Sequence, residues 1–169
     1  MSGRCAEYPV VVERAYRNWS AYVPDLPVCV ATGRTRAAVK RSMREAIIFH
    51  LECLRDYNLP IPEPWSTTAM VQVPGTSDGP SETARQYLVV LESEADGWSA
   101  YVPDVHGCTA IGRTRPEAER NIRHALLTCL GERRARGESL PIPGRRTALI
   151  EVEVPQAGPV PQPSAQEAR

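Results

Sequence analysis

Trp19-Ser20-Ala21-Tyr22-Val23-Pro24-Asp25 occurs a second time, unchanged, as Trp98-Ser99-Ala100-Tyr101-Val102-Pro103-Asp104. Seven identical residues at one offset of 79 positions mark a tandem duplication. The same offset aligns Tyr8 with Tyr87, Val10-Val11 with Val89-Val90, Glu13 with Glu92 and Cys29 with Cys108. Gly33-Arg34-Thr35-Arg36 returns as Gly112-Arg113-Thr114-Arg115. Leu59-Pro60-Ile61-Pro62 returns as Leu140-Pro141-Ile142-Pro143 at an offset of 81, so the second copy has two extra residues near its helix end. Loops accept such insertions.

Each copy carries the same order of local signals. The β-branched and apolar run from Tyr8 to Glu13 predicts a strand. Its counterpart Tyr87-Leu88-Val89-Val90-Leu91-Glu92 is nearly continuously apolar, which suits a central strand. Arg17-Asn18 and Asp96-Gly97 then predict hairpin turns. The duplicated block forms the second strand, with Trp19, Ala21 and Val23 on one face and Ser20 and Tyr22 on the other. Pro24 and Pro103 end the ladder because they have no N–H to donate. A short third strand covers Cys29 to Thr32 and Cys108 to Ile111.

Thr35 and Thr114 are N-cap candidates, the second with Glu117 at capping-box spacing. Val39, Met43, Ala46, Ile47, Leu51 and Leu54 then form one apolar helical stripe. Ala118, Ile122, Ala125, Leu126, Cys129 and Leu130 repeat it. Asn58 and Gly137 are left-handed terminators. A last strand alternates through Ala69, Val71 and Val73, and through Ala148, Ile150, Val152 and Val154. The expected fold class is α+β: two tandem β-β-β-α-β units, each a small sheet with one helix covering a face, packed as an intrachain pseudo-dimer. The expected domains are unit one at 1–73, a turn-rich linker at 74–86, unit two at 87–154 and a Pro-rich disordered tail at 155–169.

Composition narrows the function classes. Twenty basic and twenty acidic side chains cancel, so no global field steers the chain toward nucleic acid. No apolar run approaches the ~20 residues of a membrane span, and the N-terminus has no signal-peptide core, which points to the cytoplasm. The five cysteines (Cys5, Cys29, Cys53, Cys108, Cys129) form no Cys-x-x-Cys pair and no zinc-ligand spacing. Neither a cofactor nor a metal is expected. Cys29 and Cys108 read as two buried thiols, the alternative being a meeting across a pseudo-dyad.

Taken together, the blocks resemble the HicB antitoxin family. The fullest stretch is Asp96-Gly97-Trp98-Ser99-Ala100-Tyr101-Val102-Pro103-Asp104-Val105-His106-Gly107-Cys108, followed by Gly112-Arg113-Thr114 and a closing Leu-Pro-Ile-Pro. The resemblance covers both units. It implies a partial ribonuclease-H-like fold and a non-enzymatic antitoxin that binds and masks a small HicA-type mRNA-cleaving toxin. Many relatives add a C-terminal DNA-binding domain, where this chain has its Pro-rich tail after Val154. Copy one has Pro27-Val28-Cys29 in place of the family's Pro-Gly-Cys, and the helix starts are basic where the family's are often acidic.

Candidate partner-binding residues follow from what both copies keep: Tyr22, Asp25, Tyr101 and Asp104 on the duplicated block, and Arg34, Arg36, Arg113 and Arg115 at the helix starts. The aromatics read first as core or inter-unit packing and only second as a partner-binding hot spot, and the aspartates read as turn residues. Copy one concentrates Arg34, Arg36, Lys40, Arg41 and Arg44 without an acid among them, so a nucleic-acid-binding protein using basic helix N-termini is the second reading. A solvated helix face is its bland counterpart. The acids Glu13, Asp25, Glu92 and Asp104 suggest a third reading, a residual metal-dependent nuclease, although two carboxylates per unit fall short of a two-metal site. His50 sits on the apolar stripe as a core histidine, and His106 and His124 have no counterpart in copy one.

Overall fold

The two most apolar runs become the two central strands. This computed structural model describes residues 4–73 and 84–155. Most of the linker read at 74–86 and of the tail read at 155–169 lies outside them; Arg85 and Gln86, read as linker, begin a strand. The elements are β1 (Cys5–Arg14), β2 (Trp19–Val23), β3 (Leu26–Gly33), α1 (Arg36–Asp56), β4 (Ser66–Val73), β5 (Arg85–Glu94), β6 (Gly97–Tyr101), β7 (Thr109–Gly112), α2 (Arg115–Ala135) and β8 (Arg146–Glu153). The order β-β-β-α-β is thus present in each copy.

The sheets, however, are not each built from one copy. One has the order β3-β2-β1-β8 and the other β4-β5-β6-β7, all neighbours antiparallel. The closing strands are exchanged: β8 pairs with β1 from Cys5↔Glu153 to Val12↔Arg146, and β4 pairs with β5 from Ser66↔Glu92 to Val73↔Arg85. The small sheet expected of each unit is therefore completed by the last strand of the other unit. Both closing strands carry the same alternation, so either can complete either sheet. The nine residues 57–65 carry the chain from α1 to the other sheet, and Pro60, Pro62 and Pro64 restrict the stretch after Asn58 to extended conformations. The hydroxyl of Tyr8 donates to the Pro62 carbonyl at 2.6 Å, and that of Tyr87 to the Pro141 carbonyl at 2.7 Å, so the first strand of each copy holds its crossing segment.

Each helix covers one sheet. Val39, Met43, Ile47 and Leu51 of α1 bury against Tyr8, Val10, Val12, Ala21, Val23 and the exchanged Ala148, Ile150 and Val152. Ala118, Ile122, Leu126 and Leu130 of α2 bury against Tyr87, Val89, Leu91, Ala100 and the exchanged Val71. Each fully buried Val, Leu, Ile or Met side chain among them contributes about 1.5–3 kcal/mol. The alternate residues Val11, Leu88 and Val90 form a third cluster with Tyr22 and Tyr101. That cluster lies between the sheets, and it explains why β1 and β5 are apolar on both faces.

The helix ends follow the sequence signals. Thr35 Oγ1 accepts from the Ala38 N–H at 3.1 Å and Thr114 Oγ1 from the Glu117 N–H at 3.4 Å. Glu117 reaches one residue further back than a capping box, taking the Arg113 N–H at 2.9 Å. Asn58 at φ 54° and Gly137 at φ 70° terminate the helices. Gly33 and Gly112 are set by close approach: a Cβ there would stand 2.6 Å from the Val39 nitrogen and 2.4 Å from the Ala118 nitrogen. That contact accounts for the glycine of the repeated Gly-Arg-Thr-Arg. Cys29 and Cys108 lie buried and reduced in separate helix-covered cores.

Candidate functional site: the strand-exchange seam and the helix starts

Four of the expected site residues gather where the closing strands cross. In the first junction, Asp25 is fully buried and its carboxylate accepts the N–H groups of Ser66 at 2.9 Å and Trp65 at 3.3 Å. The last residue of the duplicated block therefore anchors the start of β4. Burial pushes the Asp25 carboxyl up from its ordinary pKa, opposed by its hydrogen bonds from Ser66 and Trp65. Glu92, paired with Ser66 across the β4–β5 ladder, is also pushed up, first by burial and then by Asp25 and Glu94. Asp25 presents no accessible surface, so its expected place on a partner surface is not where the fold puts it.

The second junction does the same work with a cation. Asp104 accepts the Arg145 N–H at 3.4 Å and the Arg145 guanidinium at 3.2 Å. The guanidinium also bonds the Pro103 carbonyl and ion-pairs with Glu13 at 2.7 Å. Ser20 Oγ donates to Glu13 at 3.0 Å. Arg145 was not among the candidates read from sequence. Its counterpart is Ser66, and it is found only by returning from the offset of 81 to 79 after Leu-Pro-Ile-Pro.

Between the junctions Tyr22 and Tyr101 pack against the same cluster, near enough for each phenol to perturb the other. Burial raises both phenols; Tyr22 is pulled back by Tyr101 and Arg145, and Tyr101 is raised further by Tyr22 and Glu92. Thr68 Oγ1 and Thr147 Oγ1 meet at 3.0 Å, linking the two exchanged strands. Tyr22, Tyr101, Asp25 and Asp104 thus line one internal seam.

The four arginines lie elsewhere. Arg34 and Arg36 stand exposed at the start of α1, as do Arg113 and Arg115 at the start of α2. Arg115 pairs with Glu119 at 2.9 Å. Arg34, Arg36, Lys40, Arg41 and Arg44 have no acidic partner among the described residues. His50 is half-buried on α1, and His106 and His124 are exposed. Among the described residues, no three His, Cys, Asp or Glu side chains are grouped to hold a metal ion, and no helix is long and apolar enough to cross a membrane.

A comparison with curated proteins gave no match. Among solved structures, the chain is similar to one titled "HicA3 and HicB3 toxin-antitoxin complex", at 29% identity over 34% of this chain and 67% of that one, with a TM-score of 0.32. The family model described as "HicB_like antitoxin of bacterial toxin-antitoxin system" matches residues 8–81. That span begins at the first strand and takes in the duplicated block, Gly-Arg-Thr-Arg, the helix and the closing strand of copy one. Residues 8–81 of this chain therefore match the model of the HicB-like antitoxin family, the family whose motifs the sequence resembles.

Proposed function

We propose that this chain is a non-enzymatic antitoxin that binds a small HicA-type mRNA-cleaving toxin in the cytoplasm and masks its active surface, with its repeats, at 1–73 and 87–154, acting as an intrachain pseudo-dimer. The observation that carries this reading is the family match, which falls on a duplicated segment. The exchanged strands, the Tyr22–Tyr101 contact and the Thr68–Thr147 bond support the pseudo-dimer. The engagement of Asp25 with backbone, and of Glu13 and Asp104 with Arg145, favours binding over metal-dependent hydrolysis. The test is co-expression with the product of an adjacent small gene. Growth rescue and co-purification are expected; toxicity unrelieved by this chain overturns the reading.

One observation favours a second reading. The cations at the start of α1 have no acidic partner among the described residues and face solvent, which suits a phosphate backbone. Salt-dependent RNA or DNA binding that is lost in Arg34→Ala/Arg36→Ala is its signature. No binding at low salt removes it.

A further inference from the structure

Trp19 and Trp98 hold the same place in their repeats, opposite Arg14 and Ser93 respectively. In the first repeat the Arg14 guanidinium lies 5.7 Å from the centre of the Trp19 ring, within cation–π range. In the second repeat Ser93 replaces that arginine, and a cleft of about 420 Å³ opens beside Trp98. Its walls include Glu94, Asp96, Ile111, Arg113 and Glu117. The positions of those three acids hold Ala15, Arg17 and Ala38 in the first repeat. Among the described residues the second repeat therefore has no cation stacked on this tryptophan and carries carboxylates around it.

Those carboxylates are not all needed by the fold. Glu117 holds the Arg113 N–H. Glu94 and Asp96 are exposed and make no ion pair or side-chain hydrogen bond among the described residues.

We propose that the cleft beside Trp98 takes an arginine side chain of a basic protein partner, with the guanidinium face on the indole and its N–H groups on Glu94 and Asp96. Arginine fits better than lysine because its planar fork can stack and donate to two carboxylates at once. The first repeat displays the stacked half of this arrangement internally. The identity of the partner rests on the antitoxin reading: a protein that cleaves mRNA presents arginines to phosphates, and occupying one of them masks that surface.

The test uses the full chain and a hexa-arginine peptide. Indole N–H signals of Trp19, Trp65 and Trp98 are followed by NMR as peptide is added. A saturable shift of Trp98 is expected, with Trp19 unmoved and affinity at least about ten-fold weaker in Glu94→Gln/Asp96→Asn. An equal shift of Trp19, or unchanged affinity in the double variant, overturns the site. Self-association that is lost both in Arg14→Ala/Arg17→Ala and in Glu94→Gln/Asp96→Asn would seat a second copy in the cleft and overturn the assigned occupant. The two readings fail separately: a double variant that still neutralises the toxin while wild-type chain ignores the peptide removes the cleft alone, and peptide binding without neutralisation removes the antitoxin role alone.

Discussion

The two strand junctions perform one task with different chemistry. At the first, Asp25 holds the start of β4 through backbone N–H groups alone, beside Glu92 and Ser66. At the second, Asp104 and Glu13 close around Arg145, which replaces that serine. What must be kept is an acceptor after the proline that can hold the crossing backbone. What can drift is how the neighbouring negative charge is compensated. The first junction buries a carboxyl and raises two pKa values; the second neutralises its acids with one side chain.

The sharpest break is Asp25→Ala. It leaves the Ser66 and Trp65 N–H groups without their acceptor, and is expected to cost about 2–4 kcal/mol in urea melts. Asp25→Asn keeps an acceptor oxygen and should cost clearly less; equal losses would show that the charge, not the hydrogen bonds, holds the junction. Arg145→Met comes next, at about 1–3 kcal/mol, because it strands the largely buried Asp104 together with Glu13, which keeps partial solvent access. Adding Glu13→Gln and Asp104→Asn should recover most of that loss, and additive losses would contradict the charge-closing role of Arg145.

Acid titration separates the junctions further. Asp25 and Glu92 have folded pKa values above their unfolded ones. As pH rises from about 4, the unfolded chain releases these protons first, so stability falls until the folded pKa values are passed. Asp25→Asn should flatten this limb. Ser66→Arg, which copies the second junction, should bring both pKa values down when they are followed by carboxyl NMR; unmoved values would show that burial alone sets them. The smallest effect is expected at the seam. Thr68→Val and Thr147→Val should each cost about 0.5–1.5 kcal/mol, and the pair no more than one alone, since replacing both partners strands no polar group.

Much of this fold was legible locally. The caps at Thr35 and Thr114, the stripe through Val39, Met43, Ile47 and Leu51, and the terminators Asn58 and Gly137 all lie where the residues placed them. Each depends on neighbours within a turn or two. The candidate residues were less legible. Tyr22 and Tyr101 alternate away from the helices as read, but their meeting each other depends on the second sheet. Asp25 and Asp104 looked like turn residues and became anchors for strands 41 positions away. Arg145 gave no signal because the two-residue shift hides it from the repeat.

The sequence by itself determined the duplication, the element order, the helix faces and the family motifs, because these are written in identities and short periodicities. The tertiary structure alone decided that the closing strands change places and that the duplicated block turns its tyrosines and aspartates toward a shared seam. The physical reason is degeneracy. Strands β4 and β8 offer the same alternation, and β1 and β5 offer similar open edges. Local preference cannot choose between them; the proline-stiffened crossing, Tyr8 and Tyr87, and the seam contacts can.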